Sequence, residues 1–226
     1  MLGKAAVAMW WDIAPEMKTE FEDWHSHEHM PERLGIPGFL RGTRWIAFSG
    51  EPSYFILYEA VRLATITGGA YLERLNSPTA WSRKMMPHHR NMVRSLCRVR
   101  ASFGGGIANA LATIRFSPAP GRGRSVSKWL ATDALPALPE RKGLTGAHLL
   151  ESRSVTGPAP TTEQKIRGKD AAADAILLIG GYDVEAVKAV VANELRADIF
   201  ASQGALPARI EGFYRPAFSL TSRDKP

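Results

Sequence analysis

The sequence has one cysteine, Cys97, no long uninterrupted apolar run and no block of basic residues. Each absence removes a class of function. A lone cysteine closes no intrachain disulfide and supplies no sulfur-rich zinc site, and this usage fits a reducing, cytoplasmic setting. A transmembrane helix needs roughly 20 consecutive apolar residues, so no membrane partner is expected. The formal charge of +7 comes from Lys and Arg spread along the chain, whereas nucleic-acid binding calls for a clustered basic face. Gly104-Gly105-Gly106 is not followed by the turn-to-helix spacing of a dinucleotide fingerprint and reads as a joint.

What remains is an ordinary globular composition, 45% hydrophobic and 23% charged, enough to bury a sizeable core. Residues 4–13 form an apolar run stopped by Pro15 and read as a strand with Trp10 and Trp11 on opposite faces; read this way, the run is not a leader peptide. Met17, Phe21 and Trp24 then recur at helical spacing, and Pro31 is expected to kink or end that helix. Strand-like runs at 39–48 and 54–60 flank a Gly-Glu-Pro turn, helices are expected near 66–75 and 80–91, and a strand over 93–103. The order is β-α-β-β-α-β.

After the glycine joint the same order returns, with a strand at 107–116, a helix near 125–141, strands at 145–154 and 173–181, a helix at 183–200 and a strand at 208–219. Pro31-Glu32-Arg33 matches Pro139-Glu140-Arg141 at an offset of 108, which marks an internal repeat. The expected fold is therefore α+β: two ferredoxin-like half-units, 1–104 and 105–226, packed sheet to sheet as a pseudo-dimeric α/β barrel. A homodimer of the whole chain is left open. Residues 155–172, rich in Gly, Pro and charge, read as a mobile surface insertion.

Three of the six histidines lie within five residues, in Trp24-His25-Ser26-His27-Glu28-His29. At about 100° per residue His25 and His29 share one flank of the helix, and Glu28 interrupts its apolar stripe. A carboxylate buried there needs a partner, and an imidazole beside it would have its own pKa raised, a pairing suited to general acid–base work. Catalytic roles are thus expected for His25, His29 and Glu28, with Trp24, Trp45, Tyr58, Trp81 and His88 binding the substrate. The plainer reading is a solvated helix end whose cations meet the carbonyl dipole. His-x-x-x-His also admits a metal, but the acid is misplaced for a metalloprotease helix, so no metal and no cofactor is expected. At the 108 offset the second half has Asp133, Pro136 and Ala137 in place of His25, Glu28 and His29, which leaves one site. Cys97, in an apolar strand, reads as structural.

Glu22-x-Trp24-His25-x-x-x-His29-x-Pro31, with Ile36-Pro37-Gly38-Phe39 and Arg44-Trp45, resembles the signature of the EthD-like branch of the dimeric α/β-barrel superfamily, and Asn76-Ser77-Pro78-Thr79-x-Trp81 is similar to a second motif of that group. The resemblance is strongest over residues 5–103. It implies a cavity between sheet and helices and a functional histidine at the position of His29. Relatives include isomerases, cofactor-free monooxygenases, cyclases and haem enzymes, so the fold alone does not choose the reaction. The expectation is a cofactor-independent proton-transfer enzyme for a small aromatic or lactone-like metabolite; a non-catalytic small-molecule binder is the alternative, and a metal or haem enzyme the third reading.

Overall fold

The computed structural model describes residues 1–153, 160–168 and 170–224. The first half supplies strands β1 (Ala5–Ile13), β2 (Phe39–Gly50), β3 (Tyr54–Ala60) and β4 (His89–Gly104); the second supplies β5 (Ala110–Pro118), β6 (Leu144–Ser152), β7 (Ala175–Gly181) and β8 (Ala205–Thr221). They form one closed antiparallel barrel in the order β1-β3-β2-β8-β5-β7-β6-β4. Closure depends on the two long strands: β4 pairs with β1 and crosses to β6, while β8 pairs with β5 and crosses to β2. No edge is left to aggregate.

Strand alternation divides the core into three clusters. Trp10 points into the barrel with Trp45, Phe55 and Tyr214. Trp11 points outward and packs with Phe21 and Trp24 beneath the helices of the first half. A third cluster fills the same position in the second half. Each fully buried large side chain contributes roughly 1.5–3 kcal/mol, so the expected sheet-to-sheet packing and both helix-covered outer faces are strongly held.

The first helical segment is α1 (Lys18–Trp24), a wide π turn at His25–His29, and α2 (Met30–Leu34). Pro31 does not end it. The turn closes with the Met30 amide donating to the His25 carbonyl, and Pro31 then sits in the first turn of α2, where its missing N–H breaks no bond. Short helices α3 (Leu63–Thr67), α4 (Gly69–Asn76) and α5 (Ala80–Met85) follow, and α6 (Gly123–Trp129), α7 (Thr162–Arg167), α8 (Val184–Asn193) and α9 (Ala197–Ser202) belong to the second half. The helix expected at 80–91 stops at Met85, and His89 already opens β4. The one expected at 183–200 is two, α8 and α9.

The repeat is real, but its structural offset is 105. Gly38 and Gly143 both adopt positive φ ahead of β2 and β6; Ala5 and Ala110 begin equivalent strands, and the turn at His25–His29 has its counterpart at Leu130–Ala134. Pro31 therefore corresponds to Pro136 and His25 to Leu130. The 108 match over Pro139-Glu140-Arg141 aligned similar letters on different turns.

Within the expected insertion, residues 155–159 and 169 lie outside the described residues. Residues 160–168 hold the packed helix α7, whose ends are tied down. Thr161 and Gln164 form a reciprocal capping box on α7, and the Thr162 amide donates to Asn76 Oδ1 at 3.0 Å. Ala171 exchanges backbone bonds with β4 at Met92 and Arg94. This segment of the second half is built onto the first.

Candidate functional site

The wide turn at His25–His29 decides which side chains face inward. A turn closed one residue later than an α-turn delays the phase of everything after it by about 100°. His29, on the flank of a regular helix, is carried into the apolar stripe, and Glu28 is carried out to the edge. His25 and His29 are accordingly buried, at 0% and 8% exposure, while Glu28 is half-buried and His27 exposed.

Beneath this turn lies a small cavity walled by Trp11, Trp24, Tyr58 and Tyr71, by His29 and His89, and by Arg33, Arg94, Glu163 and Arg167, with Met9, Met86 and Met92 among its apolar lining. The free space is about 20 Å³, room for one water. Glu163 and Arg167 come from α7, so residues 130 positions away in sequence complete the wall around Arg33. Arg33 is 2% exposed; its Nη2 donates to Glu163 Oε1, and its Nη1 lies 3.5 Å from Glu32 Oε2. Arg167 binds Asp170 through two nitrogens, at 2.9 and 2.7 Å, and reaches Glu163 Oε2 at 3.5 Å. Arg94 donates to the Tyr71 hydroxyl at 3.0 Å and has no carboxylate partner among the described ion pairs.

The imidazoles are neutral, contrary to the expectation of a raised pKa. Burial, reinforced by Arg44, holds His25 well below the usual 6.5. Burial and then Arg33 do the same for His29, and burial with Arg167 brings His89 down to about 3 despite its carbonyl partners. Desolvation and cations both oppose the imidazolium. His89 Nδ1 lies 3.2 and 3.3 Å from the Met85 and Met86 carbonyls, which fixes its proton on that nitrogen. His29 stacks on Trp24 at 4.4 Å between centroids. Its Nδ1 has no hydrogen-bond partner among the described residues.

Other expected roles shift. Glu28 orients no histidine: Trp24 Nε1 at 3.1 Å, Thr79 Oγ1 at 2.5 Å and Ser82 Oγ at 3.4 Å all donate to its Oε1. The carboxylate nearest His29 is Glu32, 4.0 Å from Nδ1, and burial, though opposed by Arg33, raises its pKa. His25 lies behind Tyr58 and does not line the cavity. Trp24 and Tyr58 line it. Trp45 points into the barrel instead, where a second cleft holds Arg41, Glu59 and His148. Trp81 is spent on the helix surface, donating to Glu20 at 3.2 Å. His88 is displaced by its neighbour His89, because strand alternation starting at His89 turns that side chain toward the helices. Burial pushes the Cys97 thiol up to about 12, a structural cysteine. Both ring nitrogens of His25 are engaged, and among the described residues no three His, Cys, Asp or Glu side chains converge as metal ligands. No helix among those residues is long and apolar enough to cross a membrane.

Sequence reasoning missed Arg33, Arg94, Tyr71, Glu163 and Arg167. The capping box at Thr161 and Gln164 signalled a helix in the insertion, but nothing local announces that Glu163 points inward.

No protein-family model matches the chain, and no curated protein matches it. Solved structures do. An anthrone oxidase-like protein superposes with a TM-score of 0.64 at 12% identity, covering 98% of this chain and 94% of that one. A candidate monooxygenase from Fusobacterium nucleatum gives 0.61 at 9%, covering 98% and 96%, and another from Lactobacillus acidophilus gives 0.60 at 8%, covering 97% of each. At such identities the likeness speaks for architecture: the chain has the fold of the dimeric α/β-barrel proteins, with both ferredoxin-like halves in one polypeptide.

Proposed function

We propose that the cavity under the His25–His29 turn is a small-molecule site whose chemistry is proton transfer carried by protein groups alone, on a compact aromatic or lactone-like compound with an acidic C–H or O–H. The observation that carries this reading is a pair of buried polar atoms, in two residues that line the cavity, with no hydrogen-bond partner among the described residues: His29 Nδ1 and Arg33 Nη1, which lie 4.0 and 3.5 Å from the carboxylate of Glu32. Buried polar atoms without partners are costly, and a ligand presenting both an acidic hydrogen and an oxygen would satisfy the two together. Trp24, Tyr58 and Tyr71 supply flat apolar walls. Arg94, without a carboxylate ion pair among the described residues, favours negative charge developing on the ligand. The free space is small, so entry requires the flexible thioether side chains of Met9, Met86 and Met92 to repack.

The names of the fold neighbours, monooxygenases and an anthrone oxidase-like protein, are compatible with this chemistry, because oxidation of an acidic aromatic compound without a cofactor also starts with loss of a proton. Membership of the EthD-like branch, on Trp24, His25, His29 and Pro31, and a cytoplasmic location belong to the same proposal. The depressed imidazoles favour a second reading, a binder that does not turn its ligand over: a weak base can hold a hydrogen bond without taking the proton.

A thermal-shift screen of phenols, aromatic acids and lactones against wild type and His29→Ala tests the site, since a ligand of the folded state raises apparent stability by mass action. Hits that vanish in His29→Ala are expected; hits that persist place the pocket elsewhere. Recovery of a hit chemically unchanged after long incubation selects the binder.

A further inference from the structure

His25 is fully buried, yet it does not touch the cavity. Its surroundings fix where each proton sits. Arg44 Nη1 lies 3.5 Å from His25 Nδ1 and also donates to the Glu22 carbonyl at 3.0 Å. A guanidinium only donates, so Nδ1 must present its lone pair. A neutral imidazole with a bare Nδ1 carries its hydrogen on Nε2, and the group 3.3 Å from Nε2 is the Tyr58 hydroxyl. Tyr58 oxygen is therefore an acceptor toward His25, and its own hydrogen must point elsewhere. Among the described residues the hydroxyl has no other polar partner, and the ring lines the cavity.

Resting on the reading of the cavity given above, we propose that the Tyr58 O–H is the hydrogen-bond donor presented to the oxygen of the bound ligand, and that His25, locked by Arg44 as the Nε2–H tautomer, is the positioning residue that aims it. Burial raises the Tyr58 pKa, so the hydroxyl keeps its proton at neutral pH and serves as a donor. The substrate class this arrangement fits is a phenol or an enolisable carbonyl compound. His29 Nδ1 takes the proton of the acidic C–H; the C–H electron pair becomes the carbon–carbon double bond; the carbonyl pair moves onto oxygen, which accepts from Tyr58 and Arg33. In a β,γ-unsaturated carbonyl compound the oxygen pair re-forms the carbonyl as the γ-carbon takes the same proton back, which regenerates neutral His29 and yields the conjugated isomer with no further reactant.

Two measurements on the full chain decide the matter. Nitrogen-15 NMR of histidine-labelled protein, with signals assigned by single His→Gln variants, should show His25 as the Nε2–H tautomer and His89, whose Nδ1 faces two carbonyls, as its opposite. Absorbance titration with 4-nitrophenol, a phenol whose spectrum reports hydrogen bonding at its oxygen, should show binding weakened about tenfold in Tyr58→Phe. Binding should be lost in His29→Ala, and His25→Gln, whose amide offers an equivalent N–H, should retain more affinity and more of the bound spectrum than His25→Leu. A His25 Nδ1–H tautomer overturns the positioning role. Undiminished binding to Tyr58→Phe alongside lost binding to His29→Ala overturns the Tyr58 role alone. No binding to wild type, or binding indifferent to both changes, overturns the inference together with the reading of the cavity beneath it.

Discussion

The two halves of the barrel share a backbone and differ in what fills it. Strand pairing and the 105-residue offset match His25 with Leu130, His29 with Ala134, and Arg33 with Leu138; the equivalent ladder positions match Tyr58 with Ile179 and His89 with Ala205. Every one of these second-half residues is apolar, and Leu130, Leu138 and Ile179 are fully or almost fully buried. Trp24 and Trp129 precede the wide turn in both halves. The fold thus needs the wide turn and an apolar filling; among the described residues the polar cavity is an addition beneath the first-half turn, and burying its polar groups costs stability.

The largest expected effect tests how that cost is offset. Glu163→Ala leaves Arg33 buried without its main partner and should destabilise the protein by ~3 kcal/mol, the low end for a broken buried pair because Glu32 remains near. Urea denaturation measures it. A loss below about 1 kcal/mol would mean that α7 merely lies against the first half.

The second test is acid. His25, His29, His89 and His148 all have lowered folded-state pKa values, and three of these four belong to the first-half site. The unfolded chain takes up protons near pH 6.5 and the folded chain does not. Stability therefore falls as pH drops below 6.5, by about 1.4 kcal/mol per unit per histidine, down to about pH 3 for His89. Converting the site to its second-half counterpart with His25→Leu and His29→Ala should flatten the fall of stability below pH 6.5, by at most about 1.4 kcal/mol per pH unit for each imidazole removed. An unchanged slope would show that these imidazoles are already charged in the native state.

The smallest test uses two helix caps. Thr79 caps α5 and also donates to Glu28; Asp183 caps α8 and does nothing for the cavity. Each replacement by Ala should cost about 1 kcal/mol. Only Thr79→Ala should also alter the thermal shift given by a ligand, because only it loosens the His25–His29 turn.

The twice-repeated β-α-β-β-α-β order, the opposed faces of Trp10 and Trp11, the hairpin after Gly38 and the concentration of histidines at the first helix were all legible, because strand alternation, helical periodicity and turn chemistry are local and written in neighbouring residues. The inward rotation of His29, the outward rotation of Glu28 and the choice of His89 over His88 were not. Each hangs on where a turn widens or a strand begins, and one residue more in a turn changes the phase of all that follows without changing the letters.

The sequence by itself therefore determined the architecture and pointed to the neighbourhood of the candidate site. Tertiary structure decided how its residues are buried and paired. Arg33 finds Glu163 across 130 residues, and the barrel closes through strands that leave their own half. Desolvation by that closure, with the arginines it gathers, is what turns exposed-looking histidines into neutral buried ones; it is a property of the packed volume around a side chain, which no local pattern encodes.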